Sequence, residues 1–245
     1  MIPKIVHYIW FGRNPYPEDV VRCINTWKEK LPDYEFRLWN EDNFDVHSCK
    51  FTEEAYANKK WAFVSDYVRL FVLFQYGGWY LDTDIEVVRS FAPLENNRMV
   101  FGTDEEGFLA ALIGSEKQHP FLKRMLSVYQ NMNFVLNDGK LNMEVINTYL
   151  QNELKNYGYQ QLNKYQELTE GICVYPDDYF EVVSLTTGKS HQTQNTYAIH
   201  WHTLLWVSKK TRIIRFIRMK ILAPILGRER YTKYASFMKS LWKRK

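Results

Sequence analysis

Short apolar runs and amphipathic stretches alternate along the first forty residues. The apolar run Lys4–Trp10 predicts a strand, and the segment after Pro17 carries apolar residues at helical spacing until the helix-stopping stretch "LPD" at 31–33. A second short strand is predicted at Tyr34–Trp39. A strand, a helix and a strand joined by short connections are typical of a parallel sheet with crossover helices.

The next segment leads from a helix into a strand that ends in two acidic residues. Apolar residues recur at helical spacing over Lys59–Tyr76, and Gly77–Gly78 stands where this helix is expected to end. The aromatic run Trp79–Leu81 predicts the strand, with Asp82 and Asp84 at its carboxyl end. Ligands of open α/β sheets bind at the carboxyl ends of strands, so these aspartates are the first candidate site.

The remaining pattern is also mixed, and the whole predicts one α/β domain without an internal repeat. Helices are predicted at Pro120–Asn131 and Asn142–Asn156. Strands or extended segments are predicted at Ile85–Val88, Met99–Gly102, Leu109–Gly114, Ile172–Tyr175, Tyr179–Val183 and Thr196–His200. The "PDD" of residues 176–178 is turn chemistry, so Asp177 and Asp178 are expected in a turn.

Composition narrows the class of protein. The 245 residues are 46% hydrophobic, enough to fill the core of one domain, and 16% aromatic, which suits core packing and stacking on flat ligands. Three widely spaced cysteines fit neither a zinc site nor a disulfide framework, and we expect a reducing, cytoplasmic setting. The N-terminus does not have the pattern of a secretory signal, and no apolar run has the length of a membrane span.

Charge divides the chain into two parts. From Lys209 onward there are thirteen basic residues and one acid, whereas residues 1–208 carry an acidic excess. We therefore predict a catalytic domain at 1–208 and a basic amphipathic helical tail at 209–245. Its arginines and isoleucines separate onto two faces: Arg212, Arg215 and Arg218 on one, and Ile214, Ile217 and Ile221 on the other.

Basic amphipathic helices lie in the interface of anionic membranes, so the tail predicts peripheral attachment to the inner face of the cell membrane. Packing of its apolar face against the domain and a dimer contact are the alternatives. Nucleic acid is a third reading of any basic stretch, but we expect no nucleic-acid partner.

The aspartate pair predicts a cation site. Carboxylates at i and i+2 point to the same side of an ideal strand, and in a turn just past it they can likewise converge on one ion. Oxygen ligands suit Mg²⁺ or Mn²⁺, which keep open positions for water and for substrate phosphates. The bare D-x-D pattern is short and is often only structural. Its position after a Gly-Gly-aromatic strand is what favours a diphosphate-binding metal site.

Asp66 and Arg69 lie three residues apart on one face of the predicted helix before that strand. Two readings are open. They could form a surface ion pair worth a few tenths of a kcal/mol. Alternatively, they could bind a polar ligand beside the metal, with the arginine donating to hydroxyls or phosphate and the aspartate accepting from sugar hydroxyls.

Three stretches together resemble glycosyltransferase family 32: "IPKIVHYIWFG" at 2–12, "SDYVRLFVLFQYGGWYLDTD" at 65–84 and "YAIHWHTLLW" at 197–206. This family includes bacterial capsule and cell-surface polysaccharide transferases and fungal mannosyltransferases, and it is distantly similar to the clostridial glucosylating toxins. The resemblance implies a GT-A fold, in which one Rossmann-like mixed sheet binds a nucleotide-sugar. It also implies a divalent ion on the aspartate motif and retention of anomeric configuration.

The resemblance also implies roles for individual residues, matched by position. Trp10 would border or stack on the nucleobase, and Tyr80 would line the donor pocket. Asp66 and Arg69 would hold the donor sugar.

The metal site is carried over in the same way. Asp82 would reach ribose or sugar hydroxyls, and the metal through water, while Asp84 would be the direct ligand. His200 of the late motif would add a metal ligand and Trp206 a donor contact, although Leu205 stands where the family often has serine. For His200 and His202, purely structural histidines are the alternative, and Trp201 is expected in the core.

These features predict a metal-dependent retaining glycosyltransferase, using Mn²⁺ or Mg²⁺. It would move a hexose from a nucleotide-sugar, with UDP favoured over GDP, to a hydroxyl of a surface polysaccharide or lipid-linked glycan. A catalytically silent sugar-nucleotide or glycan-binding protein of the same fold is the alternative. A haloacid-dehalogenase phosphatase also has a D-x-D after a strand, but Glu86 stands where that motif requires threonine or valine.

Overall fold

A seven-stranded mixed sheet forms the frame of the molecule. The computed structural model describes residues 1–104, 107–184 and 190–203. Nine strands are present in this part of the chain: β1 Ile5–Ile9, β2 Glu35–Trp39, β3 Gly78–Leu81, β4 Ile85–Val87, β5 Met99–Gly102, β6 Leu109–Ser115, β7 Gln166–Glu167, β8 Ile172–Tyr175 and β9 Ala198–His200. Six α-helices accompany them: α1 Glu18–Lys30, α2 Lys50–Ala57, α3 Trp61–Tyr76, α4 Pro120–Gln130, α5 Ile146–Leu154 and α6 Asp177–Phe180.

The main sheet has the order β2-β1-β3-β6-β5-β8-β7. β1 runs parallel to β2 and β3, β6 is antiparallel to both β3 and β5, β5 is parallel to β8, and β7 is antiparallel to β8. The parallel β1-α1-β2 unit and the mixed α/β fold are therefore confirmed. A second sheet consists of β4 and β9, paired antiparallel.

Apolar side chains cover both faces of the main sheet. On one face the helices α2, α3, α4 and α5 share a large cluster with strand residues such as Phe101 and Ile113. On the other face α1 packs Trp27 against a cluster that includes Val6, Trp79 and Phe91. Helices on both faces of a largely buried sheet explain why the central strands read as continuous apolar runs.

The glycine pair between α3 and β3 is required by the backbone. Gly77 and Gly78 have φ of 68° and 104°, which L side chains rarely adopt. A Cβ at Gly78 would lie 2.5 Å from the carbonyl oxygen of Ile5, because β3 approaches β1 closely here. The end of the helix predicted at this pair is confirmed, since the Gly77 N–H donates to the Leu73 carbonyl in the last turn of α3.

The segment around residue 180 corrects the sequence prediction. Tyr179–Val183 was expected to be a strand, but Asp177–Phe180 forms the short helix α6. Pro176 precedes this helix and two acids occupy its first turn, a combination that favours helix initiation over a strand. Asp177 and Asp178 therefore start a helical turn, and Glu181 follows directly after it.

Helix boundaries differ at two further places. The predicted helix over 142–156 is confirmed only as α5, Ile146–Leu154, because the chain is irregular before Val145. Helix α2 was not predicted. No helix in the described ranges has both the length and the apolar character needed to cross a bilayer. The predicted tail at 209–245 lies outside the described residues.

A buried histidine links the first three strands. His7 of β1 is fully buried; its Nε2 donates to the carbonyl of Gly77, and its Nδ1 accepts from the indole N–H of Trp39. Burial, opposed in part by the bond to Gly77, lowers the pKa of His7 from 6.5 to about 4. The folded chain therefore holds His7 neutral at physiological pH.

We expect His7 to make the protein less stable in mild acid. Between pH 6.5 and 4 the unfolded chain binds a proton at this residue and the folded chain does not, so the free energy of unfolding falls by up to about 3 kcal/mol as pH decreases across that window. Urea unfolding at pH 7 and pH 4.5 should show a smaller pH dependence for His7→Gln than for the wild type. His47→Gln, at an exposed site, is the control; equal slopes in all three proteins would contradict the assignment.

Candidate active site

The aspartate motif lies in a turn between the two sheets. The Asp82 N–H still pairs with Ala111 of β6, and the Ile85 N–H returns to the Asp82 carbonyl, so the chain turns between β3 and β4. β4 then pairs with β9 in a register that places Ile85 opposite His200. This pairing brings His200 beside Asp84, although the two residues are far apart in sequence.

The three predicted metal ligands converge. Asp82, Asp84 and His200 each offer a ligand atom within 4.8 Å of the others. The His200 Nε2 is 3.4 Å from Asp84 Oδ1. Two carboxylates and one imidazole are a donor set that suits Mn²⁺, and the carboxylates alone also suit Mg²⁺. The residues present therefore fit a divalent cation at this turn.

Asp84 is held in one orientation. Its Oδ2 accepts from the backbone N–H of Thr203 at 2.8 Å and from the Thr203 hydroxyl at 3.0 Å, while Oδ1 faces His200. Burial alone would raise the pKa of Asp84, but His200 and the two donors of Thr203 outweigh it and hold that pKa well below its usual range. Asp84 is thus a fixed carboxylate with one oxygen directed at the proposed cation position.

His200 lies between two acidic groups. Its Nδ1 is 2.9 Å from Glu181 Oε2, on the side of the ring opposite Asp84, and Glu181 also contacts His202. Burial opposes the charged imidazole, but Glu181 and Asp84 together raise the pKa of His200 well above its ordinary value. Burial likewise opposes the charged form of Glu181, yet the two histidines lower its pKa.

Asp66 and Arg69 form a buried ion pair, so the surface ion-pair reading is wrong. The two residues are only 7% and 6% exposed, and Arg69 Nη2 lies 3.0 Å from Asp66 Oδ1. The guanidinium also donates to the carbonyls of Ser65 and Ala110. Burial raises the pKa of Asp66 to about 7, although Arg69 opposes this shift.

The same arginine reaches the aspartate motif. Arg69 Nη1 is 3.5 Å from Asp82 Oδ1, and its guanidinium lies over the Tyr80 ring at 4.5 Å. The Tyr80 hydroxyl donates to the same Asp82 oxygen. Arg69 and Tyr80, which the resemblance places against the donor, therefore also orient Asp82. Burial opposes the arginine's charge, but Tyr80, Asp82 and Asp66 raise its pKa.

Trp10 lies just after β1 and is partly exposed. Its indole N–H donates to the Asn14 carbonyl at 2.7 Å, and its ring packs edge-on against Tyr16 at 5.1 Å. Any contact with a nucleobase would therefore use the ring and not the N–H. Trp206, the other tryptophan that the resemblance places against the nucleotide-sugar, lies outside the described residues.

The prediction that Trp201 belongs to the core is wrong. Its side chain is 39% exposed, with the Arg22 guanidinium 5.0 Å from its ring and its N–H donating to Glu86. Trp201 lies just past the end of β9, so the alternation that would place it on the side of the buried Ile199 does not apply to it. Trp201 is therefore a surface residue beside the site.

Sequence reasoning missed two polar residues of the site. Glu181 was placed inside a predicted strand, and Thr203 lies within the late stretch 197–206 but was given no role there. Only the β4–β9 pairing and the turn after β9 bring them to Asp84 and His200. Glu181 follows Phe180 and precedes two valines, a local sequence that carries no signal of such a role.

Comparison with known proteins identifies the part of the chain that holds the motif. Residues 17–101 match the family described as "glycosyltransferase sugar-binding region containing DXD motif". The predicted class of enzyme is confirmed at this level, and the phosphatase alternative loses its support, because the matched region includes Asp82 and Asp84.

Curated relatives extend the match. Inositol phosphoceramide mannosyltransferase 3 of Schizosaccharomyces pombe is 33% identical over 140 residues, covering 54% of this chain and 37% of the relative. Mannosyl phosphorylinositol ceramide synthase CSH1 of Saccharomyces cerevisiae is 28% identical over 131 residues, covering 51% of this chain and 35% of the relative. The chain thus spans little more than a third of the length of these relatives. Both are yeast proteins, so they correspond to the fungal mannosyltransferases of the resembled family and not to its bacterial polysaccharide transferases.

Solved glycosyltransferases are similar at a lower level. The PaToxG glycosyltransferase aligns with a TM-score of 0.48 at 22% identity, covering 64% of this chain and 71% of that protein. The galactosyltransferase LgtC aligns with a TM-score of 0.41 at 13% identity, covering 88% and 94%.

We expect Arg69→Met to destabilise the protein strongly. The substitution leaves the buried Asp66 and the partly exposed Asp82 without their shared cation, and breaking a buried pair such as Asp66–Arg69 costs about 3–5 kcal/mol. Arg13→Met removes an exposed pair with Asp42 and is the matched control, with an expected cost below about 1 kcal/mol. Urea unfolding at pH 7 measures both; similar losses in the two variants would show that Arg69 does not balance the buried carboxylates.

Proposed function

We propose that the protein is a metal-dependent, retaining glycosyltransferase that moves a hexose from a nucleotide-sugar to a hydroxyl of a glycan or lipid-linked glycan. The observation that carries the proposal is the convergence of Asp82, Asp84 and His200 within a region that matches a glycosyltransferase family. The buried network of Asp66, Arg69 and Tyr80 supports it, because it orients Asp82 from behind.

The proposed metal is Mn²⁺, with Mg²⁺ as the second choice, because one of the three ligands is an imidazole nitrogen. When bound, the ion would act as a Lewis acid that stabilises charge on the departing diphosphate. Asp84 and His200 would hold it directly, and Asp82 would bind it through water or bind hydroxyls of the donor. Thr203 keeps the Asp84 carboxylate in place for this role.

Asp66 suits sugar recognition because a carboxylate oxygen can accept from a sugar hydroxyl. A retaining reaction requires a carboxylate nucleophile or same-face attack guided by the leaving group. We assign no nucleophile, because the position of the donor's anomeric carbon relative to the described carboxylates is not established.

For the donor we propose a UDP-sugar, on the family resemblance, with a GDP-sugar as the alternative. The names of the curated relatives favour mannose as the hexose. Those names also favour an acceptor joined to a lipid, so a hydroxyl of a lipid-linked glycan is the preferred acceptor class.

We further propose that residues 209–245 hold the enzyme on the cytoplasmic face of the cell membrane. The support is the sequence alone: thirteen basic residues with one acid, and apolar residues at helical spacing. Such a location would place the enzyme beside a lipid-linked acceptor.

Donor hydrolysis tests the proposed site. We expect hydrolysis of a UDP- or GDP-sugar to require Mn²⁺ and to fall at least about 100-fold in Asp84→Asn, because the fixed anionic ligand is lost. The variant is nearly isosteric, and Asp33→Asn, at an exposed carboxylate, is the control. A thermal-shift screen of the wild type with both nucleotides, with and without Mn²⁺, identifies the base.

A metal-dependent thermal shift without hydrolysis would favour the silent binding protein. Failure of every nucleotide-sugar to shift the melting temperature, with or without Mn²⁺, would overturn the donor site itself.

Liposome sedimentation tests the membrane assignment. Each cation near an anionic surface contributes about 1 kcal/mol, so replacing Arg212, Arg215 and Arg218 together with glutamate should weaken binding to phosphatidylserine-containing vesicles by at least about 100-fold. The same charge change at the exposed Lys28, Lys59 and Lys123 is the control. If both triple variants lose the same amount of vesicle binding, the loss is explained by net charge alone, and a specific role for the tail is contradicted.

A further inference from the structure

Glu181 is a buried acid to which the proposed chemistry assigns no role. It follows α6, it is 2% exposed, and each of its carboxylate oxygens faces a different histidine. Oε2 is 2.9 Å from His200 Nδ1, and Oε1 contacts His202 Nε2. A carboxylate placed between two imidazoles accepts an N–H from each.

This contact decides which nitrogen of His200 is free. A neutral imidazole carries one N–H, and the hydrogen bond made by one nitrogen determines the state of the other. When a cation at the aspartate motif takes the place of the Nε2 proton, the remaining N–H is the one on Nδ1 that is donated to Glu181, and the lone pair of His200 is on Nε2. Nε2 is the nitrogen that lies 3.4 Å from Asp84 Oδ1, on the side of the proposed cation.

We infer that Glu181 is a positioning residue that presents the Nε2 lone pair of His200 to the cation held by Asp82 and Asp84. The inference rests on the proposed function, because it requires a metal at the aspartate motif. A carboxylate behind a metal-bound histidine fixes the ring's orientation and increases its basicity as a ligand.

Glu181 also holds the turn that brings Thr203 to Asp84. His202 has φ of 52°, a left-handed conformation that is uncommon for residues other than glycine. The contact of its Nε2 with Glu181 holds the ring, and the next residue, Thr203, then donates its N–H and hydroxyl to Asp84 Oδ2. One buried carboxylate therefore supports both the histidine ligand and the donors that fix the aspartate ligand.

A second metal on Glu181 is the competing arrangement. Glu181, His200 and His202 have ligand atoms within 4.8 Å of one another, and two histidines with one carboxylate can bind a transition metal. That metal would require the lone pair on His200 Nδ1, leaving an N–H on Nε2 facing the aspartate site. The two arrangements compete for one ring, because a neutral imidazole has one N–H and one lone pair.

Metal binding in the full-length chain tests the inference. Mn²⁺ affinity is measured from the free-ion electron paramagnetic resonance signal, in the presence of saturating UDP and, separately, GDP. We expect Glu181→Gln to weaken Mn²⁺ binding about 10–100-fold, because an amide NH₂ can donate to His200 Nδ1 and shift the ring N–H to Nε2. Glu54→Gln is the control: Glu54 is a partly buried acid of α2 that accepts from the Val135 N–H.

The tautomer provides a readout that a merely structural role would not change. Long-range nitrogen–proton spectra of the imidazoles in the Mg²⁺- and UDP-loaded wild type should show His200 with its N–H on Nδ1, with the His200 resonances identified by their absence in His200→Gln. An N–H on Nε2 would overturn the inference. This measurement needs no substitution at residue 181, so it remains decisive if Glu181→Gln does not fold.

The outcomes separate the inference from the proposed function. Failure of the wild type to bind Mn²⁺ with either nucleotide would overturn the proposed metal site and the inference together. Binding by the wild type with unchanged affinity in Glu181→Gln would overturn the inference alone. Two Mn²⁺ ions per chain, one of them lost in His202→Gln, would establish the second metal site and contradict the positioning role.

Discussion

The pairing of β4 with β9 is the constraint on which the candidate site depends. The aspartate turn belongs to the main sheet through β3, but the histidine that faces it comes from a strand near the end of the described chain. The antiparallel register sets Ile85 opposite His200, so Asp84, the residue before Ile85, lies beside the histidine ring. A slip of one residue in this register would place Trp201 or Ile199 there instead, because side chains alternate along a strand.

The balance of charge among Asp66, Arg69 and Asp82, next to the aspartate turn, is a second constraint on the site. Asp66 and Asp82 are carboxylates at the end of a largely apolar layer, and Arg69 is the buried cation that both of them face. Burying two acids near each other is unfavourable unless a cation and hydrogen bonds compensate. The guanidinium provides this compensation from one side and leaves the other side of Asp82 directed at Asp84 and His200. The framework below the turn therefore tolerates acids at the surface of the site, where a bound cation would compensate them.

Much of the fold could be predicted from the sequence, because its signals are local. The spacing of Val20, Ile24 and Trp27 indicates helix α1, and the Gly77–Gly78 pair marks the end of α3 through a backbone that only glycine adopts readily. The strand predicted over Tyr179–Val183 failed because apolar residues at that spacing fit a short helix after proline equally well. Local patterns could not predict that Asp66 and Arg69 are buried, since a face of a helix is assigned to the core only by what packs on it.

The candidate site was predictable only in part, for the same reason. Asp82 and Asp84 stand at the end of a recognisable strand, and His200 was named from a resemblance. Glu181 and Thr203 could not be found, because their roles arise from pairing between segments that are distant in sequence. Residues that support a ligand from behind need no particular spacing, only the right position in three dimensions.

The order of the segments at the C-terminal end links the site to the proposed membrane attachment. Thr203 contacts Asp84, and the first lysine of the basic tail, Lys209, follows six residues later. Six residues can span at most roughly 20 Å, even when fully extended. A tail that starts on a membrane surface would thus keep the aspartate turn within about that distance of the lipid headgroups. Such a distance suits an acceptor hydroxyl on the head of a lipid-linked glycan better than one at the far end of a long soluble polysaccharide. The same short segment would then have two effects. At its start, Thr203 donates the hydrogen bonds that fix Asp84. Its length would limit the distance between the site and a lipid-linked acceptor.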